Sequence, residues 1–361
     1  QASTQPVEPY TCPGNVCGEV EGKGVLFDPI ATGSLLDTLP MPNLKMKVST
    51  STGTTFSAYT DKKGLFSIPM QHSAPLVVST SVDNDNGLWA NVTPLTLGPL
   101  LTFNGPARTG MPLNVLFNVV PIEGATAQVN AFYHTNFIHD WAKQKLLGPL
   151  PGIDRAIKVH VNDNNPLYGP TCQAYYYGGS IFGGMSDPQI HTFIKGPYIK
   201  DPSKICLNTA YDTILYHEYG HFVDAAAGSK TDSGLSEGWG DTVACYATGQ
   251  PLIGESFFGT PDSFVRTCDN TYQFPWNGTD KIHKLGQAWS AFAWNVRKSM
   301  MAKYGSFAGQ QKAEDLIIPL FLVNSPNIPA AAWDAVMRDD DNGNFADGTP
   351  NLPQLTAAAS N

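Results

Sequence analysis

The stretch His217-Glu218-Tyr219-Gly220-His221, with Ser236-Glu237-Gly238-Trp239-Gly240-Asp241 shortly after it, decides how the chain is read. Two histidines four apart on a helix lie on one face, one turn apart, so both imidazoles can meet a single metal ion. Zinc takes nitrogen and oxygen ligands in a tetrahedral shell, and its catalytic sites keep one position for water. Glu218 follows the first histidine directly and leans toward the same ion, where it can take a proton from water. Two histidines leave one protein ligand missing, and Glu237 is the nearest good candidate. Asp241, four residues on, falls on the same face of a second helix. From there its carboxylate can hold a ligand histidine through the other ring N–H.

A five-residue match of this kind also arises by chance on solvated helices. The context argues against chance. Asn208 or Thr209 can cap the helix, Ile214, Leu215, Phe222 and Val223 supply apolar positions, and Gly228 can end it. The expected helix spans 209–227, and a second begins near Ser236, buries Trp239, Val243 and Tyr246, and ends near Gly249.

His217-Glu-Tyr-Gly-His221 followed by Ser-Glu237-Gly-Trp-Gly-Asp241 resembles the gluzincin metallopeptidases, which include the thermolysin and fungalysin families. The Glu-Gly-Trp-x-Asp wording is closer to fungalysin. The resemblance implies a zinc endopeptidase with His217, His221 and Glu237 as ligands, Glu218 as general base, and Asp241 steadying a ligand histidine. It extends from about Asn130 to Val296. Within it, His283-x-x-Gly-x-x-Trp289 resembles the fungalysin helix whose histidine stabilises the oxyanion. Asp280 could orient that histidine. Gln173-Ala174-Tyr175-Tyr176 stands where thermolysin-like enzymes carry the substrate-holding edge strand, Asn-Ala-Phe-Trp. An extended peptide can pair with the backbone of such a strand, although Gln in place of Asn alters the side-chain contact and an ordinary buried strand fits equally. No tyrosine lies between His221 and Glu237, where the thermolysin pattern places one. Tyr211, Tyr216 and Tyr219 are near in sequence, facing unknown directions.

The rest of the chain bounds this reading. At 361 residues it has room for two domains. A net charge of −9 with no basic block argues against a nucleic-acid partner. The longest apolar run, Leu316 to Val323, is too short for a membrane span. The chain begins at Gln1, which reads as a processed, secreted, extracellular product. Six cysteines fit an oxidising compartment. Connectivity does not follow from spacing; the expected pairs join sequence neighbours, Cys12–Cys17, Cys172–Cys206 and Cys245–Cys268. Asn91-Val-Thr93 and Asn277-Gly-Thr279 are acceptor triplets for N-glycans.

Residues 1–17 read as an irregular lead-in. From 18 to 121, short alternating segments such as Leu44–Val48, Leu65–Ile68, Leu76–Thr80 and Val115–Val119 are separated by turn signals, which indicates a β-sandwich. Gly22–Phe27, Pro42–Val48 and Tyr59–Phe66 look like a transthyretin-like or carboxypeptidase-regulatory sandwich, read as a structural module. Helical spacing starts near Ala127, with Val129, Phe132, Tyr133, Phe137 and Trp141 in step. His134 and His139 lie there as ordinary histidines. Ile157–Val161 alternates as a strand. The long loop from Gln250 to Lys281 is braced by a disulfide through Cys268 and can form one wall of the cleft; Arg266 reads as a surface arginine, the alternative being a grip on a substrate carbonyl. A helix follows with Leu285, Trp289, Phe292, Val296 and Met300 on its apolar face, then one over 308–323 kinked by Pro319, and one from Pro329 to Arg338. The run Asp339–Asp347 has the ingredients of a calcium loop without its EF-hand register, and an acidic solvated turn fits it as well.

The expected fold class is α+β: an N-terminal β-sandwich (18–121), then a mainly helical, thermolysin-like zinc peptidase domain (122–361). The expected cofactor is zinc, with calcium as a further candidate. The expected partners are protein or peptide substrates, with no nucleic acid and no membrane, and the chain is expected to act as a monomer. A gluzincin aminopeptidase is the alternative among enzymes. A catalytically inactive adhesion or binding protein is the alternative outside them.

Overall fold

The computed structural model describes residues 11–27, 36–71, 74–164, 171–178, 187–228, 232–275 and 281–360. Asn277 and Asp280 lie outside them, as does the expected aromatic strand beyond Gly178. The fold is α+β, β-rich in its N-terminal third and helical toward its C-terminus. Nine strands come first: β1 (Asn15–Gly24), β2 (Asp37–Pro40), β3 (Lys45–Thr50), β4 (Thr55–Tyr59), β5 (Leu65–Pro69), β6 (Leu76–Ser81), β7 (Ala90–Pro94), β8 (Thr102–Ala107) and β9 (Pro112–Phe117). In one sheet β1 is central, paired antiparallel with β2 and β5 and parallel with β9. The other is antiparallel, in the order β4-β3-β6-β8. Period-two burial turns Val16 and Val20 of β1, Met46 and Val48 of β3, Phe66 and Ile68 of β5, and Val78 of β6 into one apolar core.

Helix α1 (Glu123–Lys145) follows, close to the boundary expected near 121. Strand β7 crosses that boundary. It pairs in parallel with β10 (Ile157–Asp163) in a sheet completed by β12 (Gln189–Phe193) and, on the edge, β11 (Ala174–Tyr177). Asn91 is therefore a strand residue, 6% exposed, whose Oδ1 accepts the Gly87 N–H. Burial closes this expected glycan acceptor, a constraint that the triplet alone does not carry.

Helix α1 is buried nearly all round, and its polar residues carry the contacts. Asn130 accepts from Val25 N–H at 2.8 Å and donates to the Ala210 carbonyl at 2.9 Å. His134 Nε2 lies 2.9 Å from the Val25 carbonyl and Nδ1 lies 2.9 Å from Tyr216 Oη. A carbonyl only accepts, so Nε2 carries the proton and Nδ1 accepts from the tyrosine. Burial pushes His134 down to about 4, which keeps it in this neutral form at pH 7. The helix thus ties β1 to the start of the next helical layer.

After the β13–β14 hairpin (Gly196–Tyr198 and Asp201–Cys206) come α2 (Asp212–Ala227) and α3 (Ser233–Thr248). Then follow the two-residue strands β15 (Leu252–Ile253) and β16 (Arg266–Thr267), α4 (Lys281–Tyr304), α5 (Ser306–Ile317), α6 (Ile328–Asp339) and α7 (Leu352–Ser360). Several boundaries differ from expectation for physical reasons. Tyr211, not Asn208 or Thr209, is the N-cap residue of α2. Asn208 instead bonds Asn162 and Glu123, while Thr209 bonds the Phe193 N–H and the Gln173 carbonyl. Asp232 caps α3 through the Leu235 N–H, so this helix starts one turn early. Pro319 does not kink an α-helix; α5 ends at Ile317 and passes into a 3-10 segment, Ile318–Leu322. In the 339–347 run Asp339 accepts from Thr349 and Asn351, and Asp347 from Asn342 and Asn344, the bonding of a turn leading into α7.

Three disulfides form, Cys12–Cys17, Cys172–Cys206 and Cys245–Cys268. They suit an oxidising compartment. Among the described residues, no helix is long and apolar enough to cross a membrane.

Helices α2, α3 and α4 cross through glycines. A Cβ on Gly220 would sit 2.7 Å from the Gly240 Cα, and one on Gly238 would sit 2.7 Å from the Gly286 carbonyl oxygen. A Cβ on Gly240 would sit 2.5 Å from His217 Nδ1 and 2.9 Å from the His217 carbonyl oxygen. Gly240→Ala should therefore destabilise the fold by about 1–3 kcal/mol, the usual cost of overpacking. Thermal or urea unfolding measures this, and an unchanged midpoint would contradict the close crossing.

Candidate active site

The glycine crossings bring one face of α2, the N-terminal half of α3 and the first turn of α4 together. His217 Nε2 and His221 Nε2 lie 3.2 Å apart. Glu237 places Oε2 3.5 Å from His217 Nε2 and Oε1 3.9 Å from His221 Nε2. Metal–ligand bonds of about 2.0–2.1 Å in a tetrahedral shell set ligand atoms roughly 3.3 Å apart, so these three side chains suit such an ion. Glu218 brings a carboxylate oxygen within 4.8 Å of both histidines. Glu237 Oε2 is buried and makes no hydrogen bond. Two imidazole nitrogens and a carboxylate converging on one point are a donor set that a cation would suit.

The charges agree. Three carboxylates, Glu218, Glu237 and Asp241, surround one guanidinium, Arg266. Burial opposes charge on His217, but its contacts with Asp241 and Glu237 outweigh that and raise it to about 10. Burial and the neighbouring His217 charge push His221 down to about 4, leaving it neutral. Burial also opposes the charge on Glu237, yet His217 holds that carboxyl at about 2. Glu218 is raised to about 7, chiefly by burial, with the His217 charge acting the other way.

Asp241 takes the position that the second-helix spacing implied. Its Oδ1 lies 2.9 Å from His217 Nδ1. The expected surface role for Arg266 is overturned. Its Nε contacts both Asp241 oxygens at 3.1 and 3.0 Å, and Nη2 contacts Oδ1 at 2.8 Å. The Cys245–Cys268 disulfide brings it there, because Cys245 lies one turn beyond Asp241 on α3 and Cys268 lies two residues beyond Arg266.

The site opens into a cleft of about 1120 Å³. Ala174, Tyr175 and Tyr176 of the edge strand β11, with Gln173 just before it, line the cleft. Thr209 Oγ1 donates to the Gln173 carbonyl at 2.9 Å, Tyr175 stacks on His191 with ring centres 4.5 Å apart, and the Tyr176 N–H reaches Glu218. The cleft also carries His283, 43% exposed, with Nε2 3.4 Å from Glu237 Oε2. Ile214, Ile253, Phe257 and Val265 form an apolar flank. Tyr211, Tyr216 and Tyr219 are all buried in the core, and the cleft tyrosines are Tyr175, Tyr176 and Tyr198.

No protein-family model matches the chain, and no curated protein is similar to it. Arg266→Met should leave Asp241 buried without its guanidinium and cost about 3 kcal/mol in urea unfolding. Lys at this position should recover only part, since an ammonium lacks the planar fork. A fully stable Met variant would contradict the pairing.

Proposed function

We propose that this chain is a secreted, zinc-dependent endopeptidase of the gluzincin kind, acting on protein or peptide substrates. One observation carries the reading: two imidazole nitrogens and one carboxylate converge at ionic-ligand spacing, with a second buried carboxylate beside them, at the floor of an open cleft. His217, His221 and Glu237 would hold the ion. Bound zinc would supply Lewis acidity toward a water and toward the scissile carbonyl.

The chain's own residues do the rest. Glu218, raised toward neutrality by burial, takes the proton of the attacking water and returns it to the leaving amine. A base poised near the working pH is effective in both directions. The Tyr176 N–H favours the carboxylate form, so Glu218 remains able to accept. The backbone of β11 aligns an extended substrate as an added strand. The apolar flank of Ile214, Ile253, Phe257 and Val265 takes an apolar side chain next to the scissile bond. Arg266, anchored by Asp241, lines the cleft with N–H donors for a substrate carbonyl. His283, in the same cleft and beside Glu237, donates toward the developing oxyanion.

Glu218→Gln should keep the zinc and lower cleavage of a quenched peptide about 10²- to 10⁴-fold. Chelation should abolish wild-type cleavage, and added zinc should restore it. Cleavage indifferent to chelator, or to this substitution, would sink the reading.

A further inference from the structure

The two histidines are held from behind by different means. His217 is held directly by Asp241, whereas His221 Nδ1 faces a hydroxyl, Ser236 Oγ, at 3.1 Å. Ser236 Oγ lies in turn 2.8 Å from Oδ2 of Asp224, a residue 5% exposed and one turn beyond His221 on α2. The roles along this chain are forced. A carboxylate accepts and does not donate, so the single proton of Ser236 points to Asp224. The hydroxyl is left with lone pairs toward His221, and Nδ1 must carry the ring proton. Nε2 then presents a bare lone pair toward His217 Nε2 and Glu237.

We infer that Asp224 and Ser236 are positioning residues that lock His221 in the Nδ1–H tautomer through a carboxylate–hydroxyl relay. The consequence for affinity rests on the reading of His221 as a metal ligand; the tautomer itself does not. Ser236 immediately precedes Glu237, so one turn of α3 supplies both a ligand and the brace for another.

Asp224→Asn separates charge and donor pattern from shape. An amide can turn its NH₂ toward Ser236, which frees the hydroxyl proton to point at His221 Nδ1. That favours the Nε2–H tautomer and buries the lone pair on the wrong side. Ser236→Ala removes the acceptor outright, whereas Ser236→Thr keeps it.

The test uses the full chain, ¹⁵N-labelled at histidine and stripped of metal, with zinc itself as the probe. Ring ¹⁵N shifts report the tautomer, competition with a chromophoric chelator reports zinc affinity, and circular dichroism confirms folding. Wild type and Ser236→Thr should show Nδ1–H. Asp224→Asn should shift His221 toward Nε2–H, and both Asp224→Asn and Ser236→Ala should bind zinc about 10- to 100-fold more weakly. The double variant Asp224→Asn/Ser236→Ala should lose no more than Ser236→Ala alone, because the aspartate acts through the hydroxyl. A folded Ser236→Ala protein with wild-type tautomer and affinity would overturn the relay. A tautomer shift in a protein that binds no zinc even as wild type would uphold the relay and remove the ligand reading instead.

Discussion

Everything at the site depends on how closely three helices can approach. Side chains normally keep packed helix axes about 8–10 Å apart. Gly220 against Gly240, and Gly238 against Gly286, remove the side chains at the two contact points. The residues flanking these glycines are the chemical ones: His217, Glu218 and His221 around Gly220, Glu237 and Asp241 around Gly238 and Gly240, and His283 three residues before Gly286. The same local sequence thus sets both the approach and the groups delivered by it. A methyl at Gly240 would meet the His217 ring itself, so packing and the placement of that ring cannot be varied independently there.

The second constraint is the buried polar side of α1. Asn130 and His134 bridge a strand of the N-terminal sheet to the residues that begin and run along α2. A net hydrogen bond contributes about 1 kcal/mol, but leaving one of these groups unpaired in the core costs about 1–3 kcal/mol. With β7 inserted into the sheet of β10, β11 and β12, the N-terminal strands become part of what positions the edge strand. The β-rich region is thereby joined to the cleft by strand pairing as well as by side chains.

What could be read from the sequence followed local periodicity. His217 and His221 share a face because of helical spacing alone, and Glu237 with Asp241 repeats the argument one helix later. Cysteine pairing between sequence neighbours also matched the fold. Longer-range facts were hidden. Arg266 sits in a long loop without periodicity, and its burial goes with a disulfide that lands one turn beyond Asp241 on one side and two residues beyond Arg266 on the other. Asn208 and Thr209 look like caps, yet tertiary partners claim their side chains. Asn91 carries a glycan triplet, but a parallel strand pairing from across the expected boundary buries it. The Asp224–Ser236–His221 contacts leave no mark in the sequence, because they join two helices through residues that each look ordinary in their own.

The central claim is that His217, His221 and Glu237 hold one zinc ion. Anomalous diffraction from crystals of the zinc-loaded chain, recorded on both sides of the zinc absorption edge, tests it most directly. The account predicts a single strong edge-dependent peak per chain, bonded to Nε2 of both histidines and to the Glu237 carboxylate, with Glu218 outside bonding distance. No peak there, or a peak coordinated elsewhere in the chain, would contradict it.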